Sequence, residues 1–285
     1  MQRGERKFSG KYSDEIERIV DGLTLFDDDL MSRVFENNHK ATELLLRIAI
    51  GKALTVEDVH GQIRFESHEI DGKDIVLDIF AIGQDGTLTD IEVQSNAVGA
   101  DIKRARYYSA MLDTNALKSG EDYKKIRDTY VIFICRHDPF GLGLPVYLLD
   151  RVLCQTGDIK SAGDYIIYLN GAYKGDDDYG RLMADFHQVN YRDMHFPELA
   201  EGVRFFKEDE GGRENMCDAV KEYGREQREI AEKSANVNAV KVLMTKFQFS
   251  LTEAMNELHI QGKAREAVEE ELKKEDFSTS FPMIE

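Results

Sequence analysis

A predicted hairpin is the feature that most constrains how this chain folds. Two β-rich runs, residues 75–82 and 88–94, flank Asp85-Gly86, a dipeptide typical of hairpin turns. The first run is apolar except for Asp78, and a run that is apolar on both faces indicates an interior strand of a sheet. The sequence therefore predicts a hairpin inside a sheet, with a carboxylate at its centre.

The length of the hairpin loop decides whether two carboxylates meet. A two-residue loop would pair Asp78 with Val93 and place Asp78 and Glu92 on opposite faces, because strand side chains alternate. A three-residue loop over residues 84–86 ends at Gly86, which readily adopts the left-handed conformation that this position needs. The three-residue loop is favoured, and it places Asp78 directly opposite Glu92.

Two opposed carboxylates in a sheet predict a cation site. A buried, unpaired carboxylate costs several kcal/mol, and like charges on facing strands repel. A divalent cation between Asp78 and Glu92 removes both problems, and Mg²⁺ prefers such oxygen ligands. Gln94 lies on the same face as Glu92, whereas the side chain of Val93 points the other way.

These residues and their neighbours resemble those of a known family. The features that carry the resemblance are Asp78 within Leu77-Asp78-Ile79, Ile91-Glu92-Val93-Gln94, Arg104, Tyr107-Tyr108, Gly120, Tyr123 and the run from Tyr130 to Ile134. The ordered set is similar to the PD-(D/E)XK nuclease superfamily, and within it to the Rpn-type family, the recombination-promoting nucleases also described as transposases. The resemblance covers roughly residues 30–210.

The resemblance implies a fold, an activity and a set of site residues. The fold is α/β, with a restriction-endonuclease-like core of a mixed central sheet flanked by helices, and a helical C-terminal extension. The activity is Mg²⁺- or Mn²⁺-dependent hydrolysis of phosphodiester bonds, with DNA as the expected substrate, in recombination, mobile-element or defence contexts. Asp78, Glu92 and Gln94 are the implied catalytic residues, and the implied metal ligands are Asp78, Glu92 and the carbonyl of Val93.

One position departs from the superfamily pattern. Gln94 stands where the broad superfamily has lysine, although glutamine is common there in the Rpn-type family. An amide can donate and accept hydrogen bonds but carries no positive charge, so Gln94 is expected to orient water or phosphate.

Three further residues are candidates for the site. Glu43 is a candidate extra acid on the helix before the sheet, but a solvent-facing i,i+4 pair with Arg47 is the favoured interpretation. Arg104 could contact a phosphate or hold Glu92, and the alternative is a solvated basic helix face. Tyr108 lies on the apolar stripe of the same predicted helix, where packing is the ordinary role of a tyrosine.

Composition limits where and how the protein acts. The net charge of −17 argues against broad electrostatic binding of nucleic acid, although a local basic groove remains compatible with it. No segment approaches the length of a membrane helix, and the N-terminus lacks the apolar centre of a signal peptide. The three cysteines are far apart in the sequence and indicate reduced thiols, so we expect a cytoplasmic protein.

The sequence predicts two regions, a nuclease-like domain over residues 1–212 and a helical region over 213–285, with the boundary at Gly211-Gly212. In the second region, Val240, Leu243 and Phe247 belong to an apolar stripe that indicates packing. Its helix–turn–helix outline resembles a small DNA-binding unit, but a helix pair docked on the core or on a second subunit is favoured. A homo-oligomer formed through these C-terminal helices is therefore one expectation.

Two alternatives to a nuclease stay open at the level of sequence. The first is a catalytically weak or inactive nuclease-fold protein that binds nucleic acid or protein without cutting, favoured by the net charge and the missing lysine. The second is an unrelated α/β scaffold in which Asp78 pairs with Arg104 and no metal enters.

Overall fold

A six-stranded mixed sheet forms the centre of the larger part of the chain. The computed structural model describes residues 11–66, 73–117 and 119–280. They divide into two compact units, a core unit, Met1–Asp218, and a helical unit, Ala219–Glu285. The described strands are β1 (Val56–Phe65), β2 (Ile75–Gly83), β3 (Leu88–Gln94), β4 (Thr129–Cys135), β5 (Val146–Leu149), β6 (Val152–Leu153), β7 (Asp158–Ile159) and β8 (Asp164–Asn170). The described α-helices are α1 (Asp14–Gly22), α2 (Asp28–Phe35), α3 (His39–Ile50), α4 (Ile102–Ala116), α5 (Asp178–His187), α6 (Pro197–Glu208), α7 (Glu210–Phe247), α8 (Leu251–Glu257) and α9 (Gly262–Ser280).

The sheet order is β1-β2-β3-β4-β8-β5, and β6 and β7 form a separate hairpin. Strands β1, β2 and β3 are antiparallel, β3, β4 and β8 run parallel, and β5 is antiparallel to β8. The interior position of β2 agrees with its apolar sequence. The mixed sheet and its flanking helices confirm the predicted fold class.

Helices cover both faces of the sheet. Helix α4 packs against β3, β4 and β8, where Tyr108 and Leu112 join a buried cluster with Phe133 and Tyr168. Helices α2 and α3 pack against β1 and against α5 and α6 on the other face. Because residues facing each other across paired strands share a face, the register Glu92↔Phe133 places Glu92 beneath α4.

The β2–β3 hairpin has the predicted three-residue loop. The backbone N–H of Gly83 donates to the carbonyl of Thr87 at 2.8 Å, so residues 84–86 form the loop between them. Gly86 has a φ of +84°, the left-handed conformation expected at the last loop position. The resulting register pairs Ile79 with Ile91 and directs the next positions, Asp78 and Glu92, toward each other.

The helical unit has its own small core. Val237 and Val240 of α7 pack with side chains of α8 and α9, including Met255 and Val268. Ser250 and Glu253 form the predicted capping box at the start of α8. Phe247, the last residue of α7, is 62% exposed and does not join this core.

Gly211 and Gly212 lie within α7 rather than in a linker. A Cβ at position 212 would lie 2.3 Å from the carbonyl oxygen of Phe205, so this glycine allows α7 to approach α6 closely. Beyond it, Met216 and Cys217 are buried in the core unit. The compact units therefore divide at 218/219, and the domain limit at 212 stays a prediction. None of the described helices has the length and apolarity that crossing a bilayer requires.

Two truncations test this division. A fragment ending at Asp218 should keep the melting transition of the core unit. A fragment ending at Gly212 loses Arg213, Met216 and Cys217, and it should be less stable by on the order of 3 kcal/mol, since buried contacts are removed. Chemical denaturation of both fragments measures the difference, and equal midpoints would show that residues 213–218 contribute nothing to the core unit.

Candidate active site

The site begins where β2 and β3 separate. Beyond the Ile79–Ile91 pair, carboxylates rather than backbone carbonyls accept the hydrogen bonds between the two strands. The N–H of Asp78 donates to Oε1 of Glu92 at 3.1 Å, and the N–H of Val93 donates to Oδ2 of Asp78 at 3.0 Å. The two predicted acids therefore lie on adjacent antiparallel strands and hold this fork together.

A cavity of about 420 Å³ opens at the fork. Its lining residues are Asp28, Asp78, Val93, Gln94, Ser95, Asn96, Gly99 and Arg104. Asp78 is half-buried in its wall, whereas Glu92 is fully buried beneath it. The structure thus brings Asp78, Val93, Gln94 and Arg104 to one cavity, with Glu92 directly behind Asp78.

Arg104 from α4 neutralises the buried acid. Its Nη2 donates to Oε2 of Glu92 at 2.6 Å and to the hydroxyl of Tyr108 at 2.9 Å. The guanidinium also lies over the ring of Tyr108, 4.9 Å from its centroid. The hypothesis that Arg104 pairs with Asp78 is wrong. Arg104 pairs with Glu92 instead, because the strand fork presents Glu92 to α4.

Burial and mutual repulsion raise the pKa values of the acids. Burial raises the pKa of Asp78 to about 6, and repulsion from Asp28 adds to the increase. Burial and the charge of Asp78 raise the pKa of Glu92 to about 8, although Arg104 opposes this. Such shifts are frequent at functional sites, where acids are placed close together in little water.

Asp90 is a buried acid that the sequence patterns did not reveal. It lies two residues before Glu92 on the same face of β3, and it is 0% exposed. Neither of its carboxylate oxygens has a hydrogen-bond partner among the described residues. Burial, with repulsion from Glu92 and Asp78, raises its pKa well above the ordinary value. The sequence did contain a signal for Asp90, because its spacing of two residues from Glu92 places both side chains on one face of a strand. However, a Thr-Asp pair is also common at a strand end near a turn.

Asp28 is the second acid that was missed. It lies at the start of α2, within the run Asp27-Asp28-Asp29, where the helix dipole favours acidic residues. In the folded chain Asp28 lines the cavity opposite β2, and partial burial followed by repulsion from Asp29 raises its pKa. Only the long-range packing of α2 against β2 brings this residue to the fork.

Glu43 lies away from the cavity. Its Oε1 accepts a hydrogen bond from the N–H of Val56 at 2.9 Å, which fixes the start of β1. The alternative pair of Glu43 with Arg47 does not form, since Arg47 instead contacts Asp178 at 3.3 Å. The structure gives Glu43 a role in holding the sheet.

The oxygen-rich donor set fits a hard divalent cation. Asp28 and Asp78 face the cavity, and carboxylate oxygens are the ligands that such cations prefer. Among the described residues, no group of three or more acidic, histidine or cysteine side chains is arranged to hold a metal ion. Mg²⁺ is typically bound through one or two carboxylates and keeps several waters.

The comparison with known families agrees with this geometry. Residues 35–141 match the family model described as PD-(D/E)XK nuclease family transposase. The match includes Asp78, Glu92, Gln94 and Arg104, and it begins after Asp28. No curated protein and no solved structure matches the chain significantly.

The raised pKa of Glu92 predicts a pH-dependent stability. A carboxyl group with a raised folded-state pKa stabilises the fold fully below its ordinary value of 4.5, and the contribution is lost as pH rises through about 8. The free energy of unfolding of Glu92→Gln, measured relative to the wild type without metal, should therefore increase between about pH 5 and about pH 9.

Urea denaturation across this range measures the effect. Glu57→Gln, which changes an exposed carboxylate on β1, is the matched control and should track the wild type. A constant difference between Glu92→Gln and the wild type would contradict a raised pKa at Glu92.

Proposed function

We propose that the chain, whose residues 35–141 match the PD-(D/E)XK nuclease family transposase model, is a metal-dependent nuclease that hydrolyses phosphodiester bonds, with DNA as its substrate. The observation that carries the proposal is the fork itself. Asp78, in the wall of a polar cavity, and Glu92, buried behind it, exchange hydrogen bonds with each other's strands, and Asp28, Gln94 and Arg104 complete that cavity.

Each residue has a defined task in this mechanism. Asp78 and Glu92 would hold Mg²⁺ or Mn²⁺, with Asp28 and the carbonyl of Val93 as further oxygen donors. The bound cation supplies two effects, a lower pKa for a coordinated water and partial neutralisation of the phosphate. Gln94 positions the phosphate or the water by hydrogen bonding, and Arg104 adds the positive charge that Gln94 lacks.

The acidic surface shapes how substrate would bind. With a net charge of −17, productive contact is concentrated at the cavity rather than spread over a basic face. We therefore propose a short contact with the phosphate backbone around one scissile bond. Recombination, mobile-element movement or defence would be the context, and the free cysteines support a reducing compartment, the cytoplasm.

A non-cutting binding module is the second candidate. The observation that favours it is the 2.6 Å contact between Arg104 and Glu92, which supplies the buried acid with a cation from the protein itself. In such a protein the fork is stable without metal, and the cavity binds a partner without hydrolysis.

Asp78→Asn separates the two candidates. The substitution removes one of the repelling charges, so the metal-free variant should be at least as stable as the wild type. Millimolar Mg²⁺ or Mn²⁺ should raise the free energy of unfolding of the wild type by about 2.7 kcal/mol at 100 times Kd, and with it the melting temperature, and leave the variant unchanged. Cleavage should fall by on the order of 10³-fold.

The measurements are thermal melts with chelator and with metal, and a cleavage panel of plasmid, single-stranded DNA and RNA. A wild type that binds oligonucleotide but cuts none of these substrates would establish the binding module. A variant that melts well below the wild type in chelator would show that Asp78 holds the fork for structural reasons.

Asp28→Asn tests the acid that only the structure revealed. If Asp28 contributes an oxygen to the cation, the variant should need about 10–100 times more metal for half-maximal cleavage. Asp29→Asn is the matched control, because Asp29 pairs with Arg33 at 3.2 Å on α2. Equal metal requirements for the two variants would place Asp28 outside the metal site.

A further inference from the structure

We propose that Gly99 and Arg104 are positioning residues for Gln94, and that together they turn its amide nitrogen into the cavity as a fixed donor to a phosphate oxygen. This inference rests on the proposed nuclease function and deepens it. Two residues would then replace the lysine that is usual in the superfamily. Gln94 provides the hydrogen bond, and Arg104 provides the positive charge.

The contact between Arg104 and Gln94 sets the direction of the amide. Nη1 of Arg104 donates to Oε1 of Gln94 at 3.4 Å. A guanidinium can only donate, so the amide must present its oxygen to Arg104. The nitrogen then lies on the other arm of the amide, and Gln94 itself lines the cavity.

Gly99 allows this orientation because it has no side chain. A Cβ at position 99 would lie 1.7 Å from Oε1 of Gln94 and 2.8 Å from its Cδ. These distances are far below van der Waals contact, so any side chain there would displace the amide. The carbonyl of Gly99 also accepts from Nη1 of Arg104 at 3.1 Å, which ties the same loop to the same guanidinium.

Arg104 is itself held on several sides. Glu92 and the hydroxyl of Tyr108 accept from Nη2, and the rings of Tyr108 and Phe133 lie beside the guanidinium. A donor that is already fixed loses little freedom when substrate arrives, and preorganised donors stabilise developing charge effectively. The ligand class that fits an N–H donor backed by a guanidinium is a phosphodiester oxyanion.

A double-mutant cycle tests the role of Gly99. Gly99→Ala should lower kcat by about 100-fold with little change in KM, since displacement of a positioned group by about 1 Å has this effect. Gln94→Ala should lower kcat by a similar factor. In the Gln94→Ala background, Gly99→Ala should cost less than about twofold, because the group on which it acts is absent.

Two control variants accompany the cycle. Gly22→Ala adds a methyl group where no atom lies within 4 Å apart from its chain neighbours and its own helix backbone, and kcat should stay at the wild-type value. Arg106→Gln removes a charge from α4 two residues after Arg104, about 200° around the helix, and kcat should again be retained. Losses from Gly99→Ala and Gln94→Ala that multiply in the double variant would overturn the proposed role of Gly99.

A second measurement does not depend on cleavage. In ¹H–¹⁵N spectra, titration with inorganic phosphate should shift the side-chain amide signal of Gln94 in the wild type. The shift should be lost in Gly99→Ala and in Arg104→Met, and retained in Arg106→Met. If the wild type cuts no nucleic acid but this pattern holds, the nuclease function fails and the orientation of Gln94 stands. The inference is overturned if phosphate does not shift the Gln94 signal of the wild type. It is also overturned if the phosphate-induced shift is retained in both Gly99→Ala and Arg104→Met.

Discussion

The exchange of hydrogen bonds between Asp78 and Glu92 across the β2–β3 fork is the interaction on which the site depends. Each carboxylate accepts from the backbone of the opposite strand, at 3.1 Å for Glu92 and 3.0 Å for Asp78. This arrangement lets two strands separate inside a sheet without leaving their N–H groups unpaired. The separation in turn creates the cavity that Asp28, Gln94 and Arg104 line.

Concentrating acids at this fork makes the metal-free site electrostatically unfavourable. Asp78, Asp90 and Glu92 all have raised pKa values, with burial as the largest cause in each case. Arg104 offsets part of the charge, but the oxygens of Asp90 have no partner among the described residues. A site that destabilises the free protein and is relieved by a cation is a common trade between stability and function. Arg104 therefore offsets part of the acidic charge of the fork.

The same physical logic would allow an acidic protein to act on a polyanion, as the proposed function requires. Repulsion from a charge of −17 falls with distance and salt, whereas a cation and a guanidinium in a partly buried cavity act at contact distance. Arg104 is positioned by Glu92, Tyr108 and Gly99 before any ligand binds. Local electrostatics within the cavity, rather than the surface as a whole, would then govern recognition.

What the sequence determined by itself was local. The alternation of β2 and β3, together with a three-residue loop ending at Gly86, was sufficient to place Asp78 opposite Glu92, because strand periodicity and turn geometry act over a few residues. Three features depend on tertiary structure alone. Asp28 lines the cavity, Glu43 accepts a hydrogen bond at the start of β1, and Arg104 pairs with Glu92 rather than with Asp78. These outcomes depend on how α2, α3 and α4 pack on the sheet, and packing between distant segments leaves no periodic trace in the sequence.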